Sequence, residues 1–262
     1  MLARMSAPSS GPERRSPRES FITVYGRKPV EEVLLDRRLT VDKLIVVDTV
    51  SPGSLRRTLD LAKKRSVRVE TSSAQRVKYL AGNGKHDQGV VADVVAPGLR
   101  SLDEFAAGCP ADANVLLLDG VSNPSNVGMI IRTATAAGLD GIVLPSAGSP
   151  GLGPLVIKAS AGIAFRATIV RCRRPGDALR TLGAAGFTSY GLDASATTTL
   201  YEQDLEGRSL FVLGNETEGL SAASRDLVDV RLSIPMAHGV ESLNVASAAA
   251  VIAFEVARRA AG

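Results

Sequence analysis

Apolar residues along this chain come in short runs, and what separates the runs changes from one half to the other. In the first hundred residues, FITVYG from Phe21, DKLIVVD from Asp42, VRVE from Val67 and QGVVADVVA from Gln88 predict strands. Between them KPVEEVLLDRR, SLRRTLDLAKKR and SAQRVKYLAG predict helices, so this part reads as a compact α/β unit. Past Pro97 the composition of GLRSLDEFAAGCPADA suits a short helix and linker. From Asn114 onward NVLLLDG, GIVLP, FRATIVR, FTSYGLD, LFVLGN and VRLSIP alternate with helical stretches, which is the βαβ rhythm of a parallel sheet. The chain thus divides into a leader at 1–20, a small α/β domain at 21–97, a linker at 98–113 and a larger α/β domain at 114–262. Ligands of parallel sheets sit at the carboxyl ends of the strands, and the polar residues of the second half collect there.

Composition narrows the class. A chain of 262 residues with 45% hydrophobic content can bury a real core. The leader MLARMSAPSSGPERRSPRES is rich in Ser, Pro and Arg without an apolar signal segment, and no stretch reaches the ~18 apolar residues of a spanning helix. A cytoplasmic protein with a disordered leader is expected. Two cysteines, Cys109 and Cys172, with only His86 and His238 beside them, make neither a disulfide framework nor a zinc site of recognisable spacing, so no metal is expected.

Net charge is +4 and the isoelectric point about 9.3, which favours a polyanionic partner, although a basic housekeeping enzyme would look similar. The charge is uneven. Arg14, Arg15 and Arg18 mark the leader, Arg27 and Lys28 follow, and Arg56, Arg57, Lys63, Lys64, Arg65 and Arg68 crowd one short region. Arg27, Lys28, Arg56, Arg57, Lys63 and Lys64 are the candidates for holding a nucleic acid. Aromatics make up 4% and Trp is absent, so phosphates and shape, rather than stacking platforms, are expected to dominate nucleic-acid binding.

Three segments carry candidate chemistry. In LLLDGVSNPSNVGMIIRTATAAG, from Leu116, the loop carries Asn123, Pro124 and Asn126, and a helix from about Val127 presents Arg132. Gly128 lies four residues before Arg132, so the guanidinium is expected to reach over the bare glycine toward the loop. An N-capping Asn and a solvated Arg would read the same way. In SLFVLGNETEGLS, from Ser209, Gly214 and Gly219 let backbone approach a ligand, and Glu216 and Glu218 suit a ligand with positive charge. Neither the dinucleotide fingerprint nor a phosphate loop is present. In HGVESLNVASAAAVIAFEVARR, from His238, Ser242 and Asn244 precede an alanine-rich helix, either as an N-cap or as a shaped loop serving a site. No triad, nucleophile elbow or H-E-x-x-H occurs, and His86 and His238 read as loop residues. What is left is a group transfer driven by a reactive small-molecule donor.

NPSNVGMIIRTATAAG, FVLGNETEGLS and IPMAHGVESLNVASAAAVIAFE resemble, in order and spacing, the three motifs of the SpoU (TrmH-type) RNA 2′-O-ribose methyltransferases of the SPOUT class, and KASAG at 158–162 adds a fourth match. VYGRKPVEEVL and HDQGVVADV are similar to the L30e-like substrate-binding domain of many ribosomal RNA members. The departures are Asn123 where the family often has Asp, HDQG for HQG, and SAGI, ending at Ile163, for SAGA. They bear on the subfamily. The resemblance implies an α/β domain with a parallel sheet and a deep trefoil knot, S-adenosylmethionine bound in the knot, and a homodimer. Catalytic positions fall on Asn126, Arg132, Glu216, Ser242 and Asn244. Cofactor-binding positions fall on Gly214, Asn215, Gly219, Ile234, Pro235, Met236 and Leu243. Arg132 is the residue expected to engage the acceptor hydroxyl or its phosphate, oriented by Asn126 and Glu216. Whether it also acts as base is left open, because a guanidinium resists deprotonation.

The dimer has separate support in the last helix, with one apolar face in Val245, Ala249, Ile252 and Val256 and a second in Val251 and Phe254. The expected function is 2′-O-methylation of 23S ribosomal RNA, guanosine favoured. Transfer RNA is the alternative substrate, and a catalytically silent RNA-binding assembly protein is the alternative class.

Overall fold

The structure, a computed structural model, describes residues 20–49, 52–82 and 87–261. Nearly all of the expected leader, and His86, lie outside them. Two sheets result.

The first sheet is built from β1 (Phe21–Tyr25), β2 (Val41–Val47), β3 (Arg68–Ser72) and β4 (Val90–Val95), in the order β1-β4-β2-β3. β4 runs antiparallel to both β1 and β2, whereas β2 and β3 are parallel. α1 (Arg27–Leu35), α2 (Arg56–Lys64) and α3 (Ala74–Ala81) connect the strands, as the sequence pattern predicts. α3 starts where the Ser73 hydroxyl accepts from the Arg76 amide, and it ends at Gly82, whose φ of 66° suits glycine.

The second sheet has seven strands, all parallel: β5 (Leu99–Ser101), β6 (Asn114–Leu118), β7 (Gly141–Pro145), β8 (Ile169–Cys172), β9 (Phe187–Leu192), β10 (Arg208–Leu213) and β11 (Val230–Leu232). Their order is β11-β9-β10-β6-β7-β8-β5. β7 is buried throughout, as a strand covered on both faces must be. The covering helices are α4 (Leu102–Gly108), α5 (Pro124–Ala136), α6 (Pro154–Ala159), α7 (Pro175–Ala184), the short α8 (Ala222–Arg225) and α9 (Val245–Ala260). From β6 the chain builds β7 and β8 on one side, then crosses to lay β9 on the other and returns β10 between β9 and β6. The β6/β10 boundary is therefore the switch point where a parallel sheet opens a crevice.

One expectation needs correction. Residues 98–113 do contain a short helix, α4, opened by a capping box in which Ser101 and Glu104 satisfy each other's backbone amides. They are not a tether, however, because Leu99–Ser101 pairs with β8 as the edge strand of the second sheet. Three residues are too few for a period of two to be read from sequence. At Gly98 a Cβ would overlap the Ala167 carbonyl, so the chain enters this sheet through a gap that only glycine fits.

One continuous apolar cluster links the sheets, from Ile22, Val24 and Leu44 to Leu116, Phe211 and Ile252. A second, including Phe105, Leu117, Leu182 and Leu210, fills the opposite face of the larger sheet. Among the described residues, no helix is long and apolar enough to cross a membrane.

Candidate functional site

α5 begins three residues earlier than the sequence suggests. Its cap is Asn123, whose side chain accepts from the Ser125 amide, and Pro124 occupies the first turn. Asn126 is thus freed from capping. Buried in the first turn, it donates from Nδ2 to the Glu216 carboxylate, while its Oδ1 accepts from Asn244 Nδ2 at 3.3 Å. Asn244 in turn caps α9, its Oδ1 accepting from the Ala246 amide at 2.9 Å. A carboxylate at one end can only accept and a backbone N–H at the other can only donate, so both amide orientations are determined. The three motifs, 90 and 118 residues apart, meet in one chain of hydrogen bonds at the switch point. Asn244 is both a cap and a site residue, so the two readings of its segment are compatible.

Arg132 stands apart from this chain of hydrogen bonds. Its side chain is exposed and makes no hydrogen bond or ion pair with a described residue. Gly128 is not a bare gap beneath it, because a Cβ there would overlap the Ala159 side chain and the Val156 carbonyl. The glycine serves the close approach of α5 to α6, the helix that leads into KASAG.

A cleft of about 620 Å³ lies at the carboxyl ends of β9, β10 and β11. Gly214, Asn215, Gly219, Ile234, Met236 and Leu243 line it, as do Glu216 and Ser242. Pro235 is exposed and does not, while Ile234 and Met236 on either side of it do. Two roles also change. A Cβ at Gly214 would overlap the backbone of Gly219, so this glycine lets the chain double back on itself, closed by paired Asn215–Gly219 backbone bonds at 2.9 Å. Asn215 shapes the turn, accepting from the amides of Thr217 and Glu218 and donating to the Gly120 carbonyl at 3.0 Å.

The sequence reading passed over Asp193, Ser195, Arg225, Arg231 and Glu241, which also line the cleft. Asp193 closes the predicted strand FTSYGLD and Ser195 follows it, so the strand-end rule offered the signal for them. The Ser195 hydroxyl and amide hold the Asp193 carboxyl below its usual range, helped by Arg231 at 3.4 Å. The wall of Leu213, Ile234, Met236, Leu243 and Val245 suits a flat apolar ring, and the carboxylates at the rim suit positive charge. Both cysteines are free thiols, and burial, then the Asp177 charge, pushes Cys172 up to about 11, far from a nucleophilic thiolate. Among the described residues no His, Cys, Asp and Glu group could hold a metal ion.

The six expected RNA-holding cations are all exposed. Arg56, Arg57 and Lys64 border a shallow depression of about 460 Å³, and Arg57 pairs with Glu31 at 3.3 Å. The Arg27 amide donates to the Gln88 side chain, which joins the two quoted motifs of the first domain. Arg65, in the same crowd, is structural: its guanidinium donates to the carbonyls of Val33, Leu34, Asp36 and Leu39, closing the end of α1.

Residues 113–254 match the model of the SpoU rRNA methylase family, and residues 23–99 match that of the RNA 2′-O ribose methyltransferase substrate-binding domain. The 23S rRNA (guanosine-2′-O-)-methyltransferase RlmB of Xylella fastidiosa is 35% identical over 221 residues, 82% of this chain and 88% of its own. The SpoU methyltransferase AviRb of Streptomyces viridochromogenes, solved with AdoMet, superposes with a TM-score of 0.65 at 28% identity, covering 94% of this chain and 92% of its own. The TrmH/SpoU tRNA-modifying enzyme of A. aeolicus superposes on 60% of this chain and 80% of its own, with a TM-score of 0.51 at 25% identity.

Proposed function

The chain belongs to the SpoU rRNA methylase family and is an S-adenosylmethionine-dependent RNA 2′-O-methyltransferase, and from that premise we propose that it methylates a guanosine ribose of 23S ribosomal RNA. The observation that carries the substrate is the reach of the RlmB likeness, which runs over 82% of this chain and so beyond the methylase domain alone. The tRNA-modifying relative corresponds to only 60%.

Bound S-adenosylmethionine supplies a methyl group on a sulfonium. The cleft fits such a molecule, with an apolar wall for the adenine ring and Glu216, Glu218 and Glu241 for positive charge. Ile234, Met236 and Leu243 would hold the ring, with the backbone of Gly214 to Gly219 beside it. Asn244 orients Asn126, and Asn126 orients Glu216, so these groups are aligned before RNA arrives. Ser242 lines the cleft on the same side. Arg132 meets the acceptor ribose or its phosphate through a planar fork of donors.

The working unit is a homodimer. α5 and α9 pack together and expose Met129 and Phe254, while the other apolar face of α9 is buried within the chain. The loops 214–220 and 233–243 that build the cleft are the parts of a trefoil knot, and the enzyme works in the cytoplasm.

The test is to map 2′-O-methyl groups in total RNA from cells with and without the gene. Loss at one guanosine of 23S rRNA is expected. Loss in transfer RNA instead overturns the substrate, and no loss anywhere overturns the activity. Cofactor binding measured by calorimetry should be the same with and without chelator.

A further inference from the structure

A second cavity, of about 520 Å³, lies where the two sheets meet. One wall is Phe21, Tyr25 and Tyr79, from β1 and α3. The facing wall is Pro124, at the start of α5, with Pro150 and Leu155 beyond it. Two of the chain's four tyrosines thus converge in one groove. Tyr79 is 68% exposed and Leu155 65%, large apolar surfaces left in water beside the half-buried Phe21, Tyr25, Pro124 and Pro150. Among the described residues of the lining, Arg171 is the one cation.

We propose that this groove holds an unpaired base of the RNA next to the methylated nucleotide, stacked on Tyr79, with Arg171 toward its phosphate. The proposal rests on the RNA methyltransferase reading. Aromatic rings, proline and aliphatic edges make a slot for a flat apolar body, and a guanidinium at its edge suits an anionic tether; a nucleotide combines the two. A proline-rich peptide would use similar walls, but two observations favour RNA. β1 and α3 belong to the segment matching the substrate-binding model. Pro124 opens the helix that carries both Asn126 and Arg132, so the groove borders the helix of the residues proposed to react. The low aromatic content pointed away from stacking, because composition counts aromatics and does not show that they converge.

The experiment uses the full chain and two probes, an RNA hairpin whose unpaired loop carries 2-aminopurine and a fully paired duplex of matched length. Tyr79→Ala should weaken hairpin binding about tenfold and remove the fluorescence change of the stacked base, and Tyr79→Phe should restore both. Leu155→Ala should weaken the hairpin less. Duplex binding and S-adenosylmethionine affinity should not move. Wild-type hairpin affinity in both Ala variants, equal loss with duplex, or failure of Tyr79→Phe would each overturn the groove, as would a proline-rich peptide competing where the hairpin does not. If the wild-type enzyme transfers no methyl to RNA while Tyr79→Ala still loses the hairpin, the activity reading fails and the groove stands.

Discussion

The carboxyl ends of the second sheet and the helical face of the first hold their polar residues in opposite ways. At the strand ends, Asn244, Asn126 and Glu216 bond to one another, and Asn215 divides its amide between its own turn and the Gly120 carbonyl. On the first domain, Arg56, Lys63 and Lys64 stand in solvent without an ion pair among the described residues. A bonded network sets geometry before a ligand arrives, which a methyl transfer needs. Exposed cations confer attraction without geometry, which suits a backbone that is held by its charge. Arg132 belongs to the second kind while sitting on the helix of the first.

Arg132→Ala should therefore separate the two most sharply. Methyl transfer should fall at least about a thousandfold, roughly 4 kcal/mol of transition-state stabilisation. The melting temperature and S-adenosylmethionine affinity should hold, because the side chain is exposed and outside the cleft. Arg132→Lys should fail nearly as badly for want of the planar fork. A near wild-type rate for Arg132→Ala in a radiolabelled methyl assay would reduce it to a solvated residue.

Neutralising Arg56, Arg57, Lys63 and Lys64 together tests the other side. RNA affinity at low salt should drop about a hundredfold, and the slope of log affinity against log salt should flatten by about 3. Cofactor affinity, measured by calorimetry, should stay where it was. An unchanged slope would move the RNA-holding surface elsewhere.

Gly214→Ala probes how tightly the network's own turn is built. The added methyl meets backbone, which cannot step aside, so a loss of about 1–3 kcal/mol in denaturant unfolding is expected, with weaker cofactor binding. Gly219→Ala should act through its positive φ of 69° instead.

The smallest effect concerns the foot of α9. Glu255, buried and bonded first to Arg258 and also to Arg259, titrates at about 2 instead of 4.5. A carboxylate lowered on folding contributes stability that is present above pH 4.5 and is lost as pH falls toward 2. Glu255→Gln should flatten that limb of an acid unfolding curve and leave neutral-pH turnover unchanged.

Most elements of both sheets were legible because strand and helix periods, caps and breakers act within a few residues. Ser73 before α3 and the buried run of β7 announce themselves. β5 did not, since three residues carry no period and its pairing with β8 depends on how the sheet is built around it. The start of α5 was misplaced because Asn123 and Asn126 are equally good caps on paper, and the proline at the first helical position favours the earlier one.

The sequence by itself determined which residues would meet at the centre, because Asn126, Glu216 and Asn244 stand in motifs that resemblance could align one by one. Only the tertiary structure decided what those residues do to each other, with Asn244 at once a cap and a donor and Gly214 a passage for its own chain. It also turned Gly128 toward α6 and drew Tyr25 and Tyr79 to one groove. The reason is one of range. Local patterns encode contacts within a turn or along a strand, whereas contacts across 90 or 118 residues depend on the path of the whole chain, and a pattern of period two or three and a half carries no record of that path.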